Sequence, residues 1–146
     1  MRKIIYIDLD DTLANYSGLV KERNLNPEEA KRIPGFFTDL VPIKNAVETY
    51  NELCKYFDVY ILSTAPWSNP SSLVEKIEWV KKYLPSSYKN VIFSHHKELN
   101  MGDYLIDDAT RNGASNFSGE YIQFGSEKFP DWLSVKKYIF NKEKIV

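Results

Sequence analysis

The stretch Ile4-Ile5-Tyr6-Ile7-Asp8-Leu9-Asp10-Asp11-Thr12 decides how this chain is read. Three isoleucines and a tyrosine make a short apolar run, as a strand buried on both faces requires. The run then meets aspartate at positions 8, 10 and 11. An Asp-x-Asp at a strand end is, alone, ordinary turn chemistry. Its meaning depends on how the other strands end.

Working outward, apolar and β-branched runs at 3–8, 58–63, 90–93, 104–107 and 120–124 predict strands. Helical periodicity fills the gaps. Residues 43–57 place Ile43, Ala46, Val47, Tyr50, Leu53, Cys54 and Phe57 on one face. Residues 71–84 repeat the rhythm with Leu73, Val74, Ile77, Val80 and Leu84, until Pro85 forbids continuation. A last helix at about 131–141 starts near Asp131 and carries Leu133, Val135, Tyr138 and Ile139. Strand–helix–strand alternation predicts an α/β fold, a three-layer Rossmann-like parallel sheet. Residues 14–41 are too many for a plain connection. They hold two short helical patterns, 17–23 and 27–33, the second with Asn26 as N-cap and Pro27 at the first helical position. The expectation is a single domain over 1–146 with a small helical cap inserted after the first strand.

Composition bounds the function. Lys plus Arg is 19 and Asp plus Glu is 20 in 146 residues, a net charge of −1. That excludes a broadly basic nucleic-acid clamp and a polyanionic tail. The chain is 43% hydrophobic and 27% charged, a globular balance. Cys54 stands alone, so no internal disulfide forms and no Cys/His cluster has zinc spacing. No apolar run approaches the roughly 18 residues of a membrane span, and Asp8 ends the first run too early for a signal peptide. A cytoplasmic protein in a reducing compartment is expected.

In parallel sheets ligands bind beyond the carboxyl ends of the strands. The first strand ends in Asp8 and Asp10, the second in Ser63-Thr64, and the fourth in Asp107-Asp108, while Lys97 follows the third. These groups converge on one crevice. Each like-charged pair at about 4 Å costs on the order of 4 kcal/mol at an effective dielectric of 20, and Lys97 alone cannot offset four carboxylates. Either some carboxylates hold protons or a divalent cation sits among them. An all-oxygen set favours Mg²⁺ over zinc. Mg²⁺, a lysine and a hydroxyl make a phosphoryl site. One carboxylate there can attack phosphorus, and a second can protonate the leaving oxygen.

In this order the residues resemble the haloacid dehalogenase superfamily of phosphotransferases. Ile4 to Thr12 matches its first motif, Val59-Tyr60-Ile61-Leu62-Ser63 the second, Lys97 the third, and Leu105-Ile106-Asp107-Asp108 the fourth. Within it the chain is similar to the 5′(3′)-deoxyribonucleotidases, through Leu13-Ala14-Asn15-Tyr16, Pro34-Gly35-Phe36-Phe37-Thr38-Asp39-Leu40-Val41-Pro42-Ile43, and residues 59–64 followed by Glu75-Lys76-Ile77-Glu78-Trp79-Val80. The resemblance implies a Mg²⁺-dependent phosphatase acting through an aspartyl phosphate. Asp8 would be the nucleophile and a metal ligand. Asp10 would be the general acid/base and bind Mg²⁺ through its carbonyl. Ser63 and Thr64 would hold phosphoryl oxygens, Ser63 being the preferred contact. Lys97 would neutralise the phosphate and Asp8. Asp108 would be the direct metal ligand with Asp107 supporting, and Tyr16 would face the base or sugar. Asp11 departs from the glycine that these nucleotidases carry.

A small phosphomonoester, a nucleotide above all, is the expected partner; membranes and nucleic-acid polymers are not. The short cap keeps another substrate open, either a sugar phosphate or a nucleic-acid end. A receiver-type signalling module shares the residue types, but it places its acceptor aspartate on a middle strand and its lysine last. Phe36 and Phe37 either line a pocket or pack the cap. Trp67, near the crevice mouth, either touches substrate or covers the sheet edge. His95 and His96 read as solvated or packing residues, and Arg111 is a candidate to fix Asp107 or Asp108.

Overall fold

A computed structural model describes every residue from Met1 to Val146. The strands are β1 (Ile4–Ile7), β2 (Asp58–Ser63), β3 (Val91–Phe93), β4 (Tyr104–Asp107) and β5 (Glu120–Gln123). They form one sheet in the order β3-β2-β1-β4-β5, with every neighbouring pair parallel. The chain winds outward from β1 through β2 and β3, then crosses back to β4 and β5. The order therefore reverses between β1 and β4, where the sheet opens a crevice. The fold is α/β and Rossmann-like.

The helices are α1 (Tyr16–Glu22), α2 (Pro27–Ala30), α3 (Ala46–Leu53), α4 (Ser71–Tyr83) and α5 (Trp132–Lys142). None is long and apolar enough to cross a membrane. Strand alternation sorts the core into two clusters. Ile5, Ile7, Val59, Ile61, Tyr104 and Ile106 pack with residues of α3, α4 and α5. Tyr6, Leu62 and Leu105 face the other way, onto Ala114 and Phe117. That second face is covered by connections with 3-10 turns, not by an α-helix. Tyr6 anchors one of them by donating to the Met101 carbonyl at 2.8 Å.

Helix ends follow local chemistry. Asn26 caps α2 by accepting from the Glu28 and Glu29 amides, with Pro27 at the first position. Asp131 and Ser134 form a capping box on α5. The periodic run 43–57 shortens to Ala46–Leu53 because Asn45 before it is left-handed, at φ 65°.

α4 differs from its sequence reading in the face it buries. Leu73 and Val74 are exposed, while Ser72, Glu75, Lys76, Trp79 and Val80 form the inward stripe. Two charged side chains take core positions because each finds partners there. The Glu75 carboxylate accepts from the amides of Gly35 at 2.9 Å and Phe37 at 3.1 Å. Lys76 reaches the crevice.

The segment between β1 and α3 carries α1, α2 and a 3-10 turn at Phe36–Asp39. Its ends are stitched together: Asn15 donates to Val41, and Ile43 donates to Leu13, both at 2.8 Å. At its start the Leu9 carbonyl accepts from the Leu13 and Ala14 amides at 2.9 and 2.8 Å. Asp11 there is left-handed at φ 59°, a conformation short polar residues tolerate. Its carboxylate takes the Ser17 amide and hydroxyl at 2.7 and 2.6 Å. This is the physical counterpart of the departure from glycine.

Trp132, fully buried in α5, donates its indole N–H to the Thr12 carbonyl at 2.8 Å. It ties the far end of the chain to the turn that carries Asp8 and Asp10. Trp132→Phe leaves that carbonyl unpaired and is expected to cost about 1–3 kcal/mol of stability, read by urea unfolding. An unchanged midpoint would mean that the anchor carries no weight.

Candidate active site

Pleating decides which strand-end side chains can meet. Asp8 directly follows β1 and donates its amide to the Ile106 carbonyl of β4 at 2.9 Å. That bond locks the two strand ends side by side, so Asp8, Asp107 and Asp108 come together. One carboxylate oxygen from each lies within 4.8 Å of the others. Asp8 and Asp107 are buried, at 7% and 2% exposure, and Asp108 is half-buried.

Lys97 threads between them. Its ammonium donates to Asp8 Oδ1 at 2.9 Å and Asp107 Oδ2 at 2.5 Å. A 3-10 turn at Lys97–Leu99 and the bond from the Lys97 amide to the Asn112 carbonyl fix its backbone. The Thr12 hydroxyl lies 3.2 Å from Asp108 Oδ1 and 3.4 Å from Asp8 Oδ2, serving one of them at a time. Asp107 also accepts from the Ala109 amide at 3.0 Å.

A second lysine completes the charge pattern, and sequence reasoning missed its role. Lys76 is 1% exposed. Its ammonium donates to Asp10 Oδ2 at 2.7 Å, Ser63 Oγ at 2.9 Å and the Thr64 carbonyl at 3.3 Å. It also lies 4.7 Å above the Phe37 ring. The signal was in plain view: Lys76 sits between Ser72 and Val80 on one helical stripe. A lysine among apolar helix residues ordinarily reads as surface.

The same geometry separates Ser63 from Thr64. Ser63 shares its strand face with Val59 and Ile61, under α4, so its hydroxyl meets Lys76 and is fully buried. Thr64 lies on the crevice wall, its hydroxyl donating to the Ser94 carbonyl at 2.7 Å.

Electrostatics follow from burial. Burial alone would raise Asp8, but the Lys97 charge and hydrogen bonds outweigh it and hold Asp8 low. Burial raises Asp10, against the pull of Lys76. Burial and the Asp8 charge push Asp107 up to about 7 and Asp108 up to about 8. Burial would depress Lys97, but Asp8 and Asp107 raise it instead. Within the cluster itself, four carboxylates against two ammoniums leave an excess of two negative charges when all are ionised; Lys31 and Arg111 also line the crevice but pair with none of the four. Crowded, proton-retaining oxygens of this kind fit a hard divalent cation. Asp8, Asp107 and Asp108 are the residues that could hold it.

The crevice encloses about 340 Å³, within the range of small-molecule sites. Asp8, Asp10, Lys97, Asp107 and Asp108 all line it. Tyr16 does not. Its ring packs against Phe36 and Phe37 at 5.3 and 5.8 Å, and its hydroxyl donates to the Pro27 carbonyl at 2.6 Å. Phe36 and Phe37 are themselves 1% exposed. Arg111 lines the crevice without an ion pair to Asp107 or Asp108. His95 lines it too, whereas His96 turns to Glu98, 3.3 Å away.

Comparison with known proteins gives the family and the fold. Residues 21–131 match the family described as 5′ nucleotidase, deoxy (pyrimidine), cytosolic type C protein. A protein of Vibrio phage KVP40, provisionally named a 5′(3′)-deoxyribonucleotidase, is 46% identical over 98% of this chain and 88% of its own. One from Staphylococcus epidermidis with the same provisional name is 29% identical over 98% of this chain and 99% of its own. Among solved structures, a magnesium-bound haloacid dehalogenase-type hydrolase of Bacillus subtilis superposes with a TM-score of 0.56 at 11% identity. It covers 89% of this chain and 90% of that one. The chain belongs to the cytosolic type C 5′ nucleotidase family, on a haloacid dehalogenase-type fold.

Proposed function

We propose that this protein hydrolyses deoxyribonucleoside monophosphates through an aspartyl phosphate, with Mg²⁺ as cofactor. The observation that carries the reading is the gathering of Asp8, Asp107 and Asp108 around Lys97 at the junction of β1 and β4. The family supports the nucleotide, and a crevice of about 340 Å³ is of a size for a small ester.

Lys97 holds Asp8 ionised and fixes its orientation, leaving the carboxylate free to attack phosphorus. The P–O bond to the nucleoside breaks as the Asp8–P bond forms. Asp10 binds Lys76 through Oδ2, while Oδ1 has no protein partner. Oδ1 is the oxygen that delivers a proton to the departing alkoxide. Water then attacks the acyl phosphate, Asp10 Oδ1 takes its proton, and phosphate leaves with Asp8 regenerated. Lys97 holds the phosphoryl oxygens together with Thr64 on the wall, whose hydroxyl turns from the Ser94 carbonyl to donate to them. Ser63 serves the site through Lys76. Mg²⁺ would be held by Asp8, Asp108 and the Asp10 carbonyl with Asp107 in support, and when bound it would supply charge neutralisation at the phosphoryl group. Residues 14–41 act as a small cap over this site.

Phosphate release across deoxy- and ribonucleoside monophosphates, sugar phosphates and an aryl phosphate tests the reading. Release from deoxynucleotides that is lost with a chelator and in Asp8→Asn is the expected result. Release from sugar phosphates alone would overturn the substrate, and full activity of Asp8→Asn would overturn the nucleophile.

Lys76 is a positioning residue in this scheme. Lys76→Met should lower kcat by about a hundredfold through displacement of Asp10, with KM changing far less. Circular dichroism and the melting temperature check the fold, and Lys76→Arg should recover part of kcat. Equal losses in KM and kcat would instead indicate a damaged pocket.

A further inference from the structure

Trp67 is 89% exposed, yet it stands on the wall of a buried catalytic crevice. An indole is a large apolar surface to leave in water, and here the backbone holds it there. Trp67 occupies a turn closed by the Asn69 amide on the Pro66 carbonyl at 3.0 Å. Asn69 is 4% exposed and clamps the turn from both sides. Its side-chain amide donates to the Lys31 carbonyl at 2.9 Å, and its oxygen accepts from the Ser71 hydroxyl at 2.5 Å. The His95 ring meets the indole edge-on, with centroids 6.0 Å apart at 74°. The indole is therefore braced, not loosely hanging.

The other aromatic rings near the site are unavailable. Tyr16, Phe36 and Phe37 cover one another at 6%, 1% and 1% exposure. Trp67 and His95 supply the only aromatic rings on the crevice wall, and the cations Lys31 and Arg111 share that wall. Asp8, Lys97, Thr64 and Trp67 line one and the same crevice, so a phosphoester held at Asp8 and Lys97 shares it with the indole.

We propose that Trp67 is the platform on which the nucleobase of the substrate stacks, with His95 as its brace. This rests on the nucleotidase reading above and adds the residue that selects an aromatic leaving group. Stacking of one base on an aromatic side chain is sequence-tolerant and measurable by truncation. The site therefore favours nucleotides over sugar phosphates without strict choice among bases.

The test compares a deoxynucleoside monophosphate with glycerol phosphate in wild type, Trp67→Ala and Trp67→Phe. The ratio of the two kcat/KM values should fall about tenfold in Trp67→Ala, through KM for the nucleotide, and stay near wild type in Trp67→Phe. A second readout uses fluorescence in the Asp8→Asn background. Trp79 and Trp132 are buried at 3% and 0% exposure, so the exposed emission belongs to Trp67. Deoxynucleotide should quench it and inorganic phosphate should not. A wild-type enzyme that cleaves nucleotides with an unchanged ratio in Trp67→Ala overturns the platform alone. A wild-type enzyme that cleaves no nucleotide overturns the underlying substrate reading as well.

Discussion

Carboxylates forced together at the ends of β1 and β4 set the terms for everything around them. Parallel pairing fixes Asp8 beside Asp107 and Asp108, and their repulsion runs to several kcal/mol per pair even at an effective dielectric of 20. Two ammoniums buried at depth answer it. Lys97 bridges Asp8 and Asp107, and Lys76 holds Asp10. Burying these lysines is itself costly, and only short, direct contacts on several sides offset the lost hydration. The excess negative charge left on the carboxylate cluster is what a hard divalent cation would neutralise.

The inserted segment is coupled to this charge pattern through adjacent residues of one helix. Glu75 grips the amides of Gly35 and Phe37, and Lys76 grips Asp10 while lying over the Phe37 ring. Gly35 is at φ 88°, a conformation that brings its amide to Glu75 without a side-chain penalty. One turn of α4 thus joins the inserted segment, which supplies Lys31 to the crevice wall, to Asp10 inside the crevice. Trp132 performs the matching task below, holding the Thr12 carbonyl.

Much of this was legible in the residues. Strands in a parallel sheet are apolar on both faces, so their ends are sharp in the sequence. Asp8, Asp10, Lys97, Asp107 and Asp108 therefore fall at identifiable strand ends or just beyond them. What was not legible depends on tertiary partners. Leu73 and Val74 gave α4 an apolar face that the structure turns to solvent, because Glu75 and Lys76 find amide and carboxylate partners inside. Tyr16 reads as a crevice aromatic until Phe36, Phe37 and Pro27 close around it. Ser63 and Thr64 differ only by the pleat: Ser63, expected as the preferred phosphoryl contact, shares its face with Val59 and Ile61 and lies under α4, while Thr64 lines the crevice.

The central claim is that Asp8 itself carries the phosphoryl group. Asp10→Asn removes the base of the water step, and an aryl phosphate, whose leaving group needs no proton, still allows attack by Asp8. Acid-quenching this variant with the aryl phosphate and mapping the peptides by mass spectrometry tests the claim directly. A phosphoryl adduct on the peptide containing Asp8, removed by hydroxylamine, is the result predicted here. Product formation at an undiminished rate in Asp8→Asn, with no adduct on any peptide of the Asp10→Asn enzyme, would show direct attack by water and contradict it.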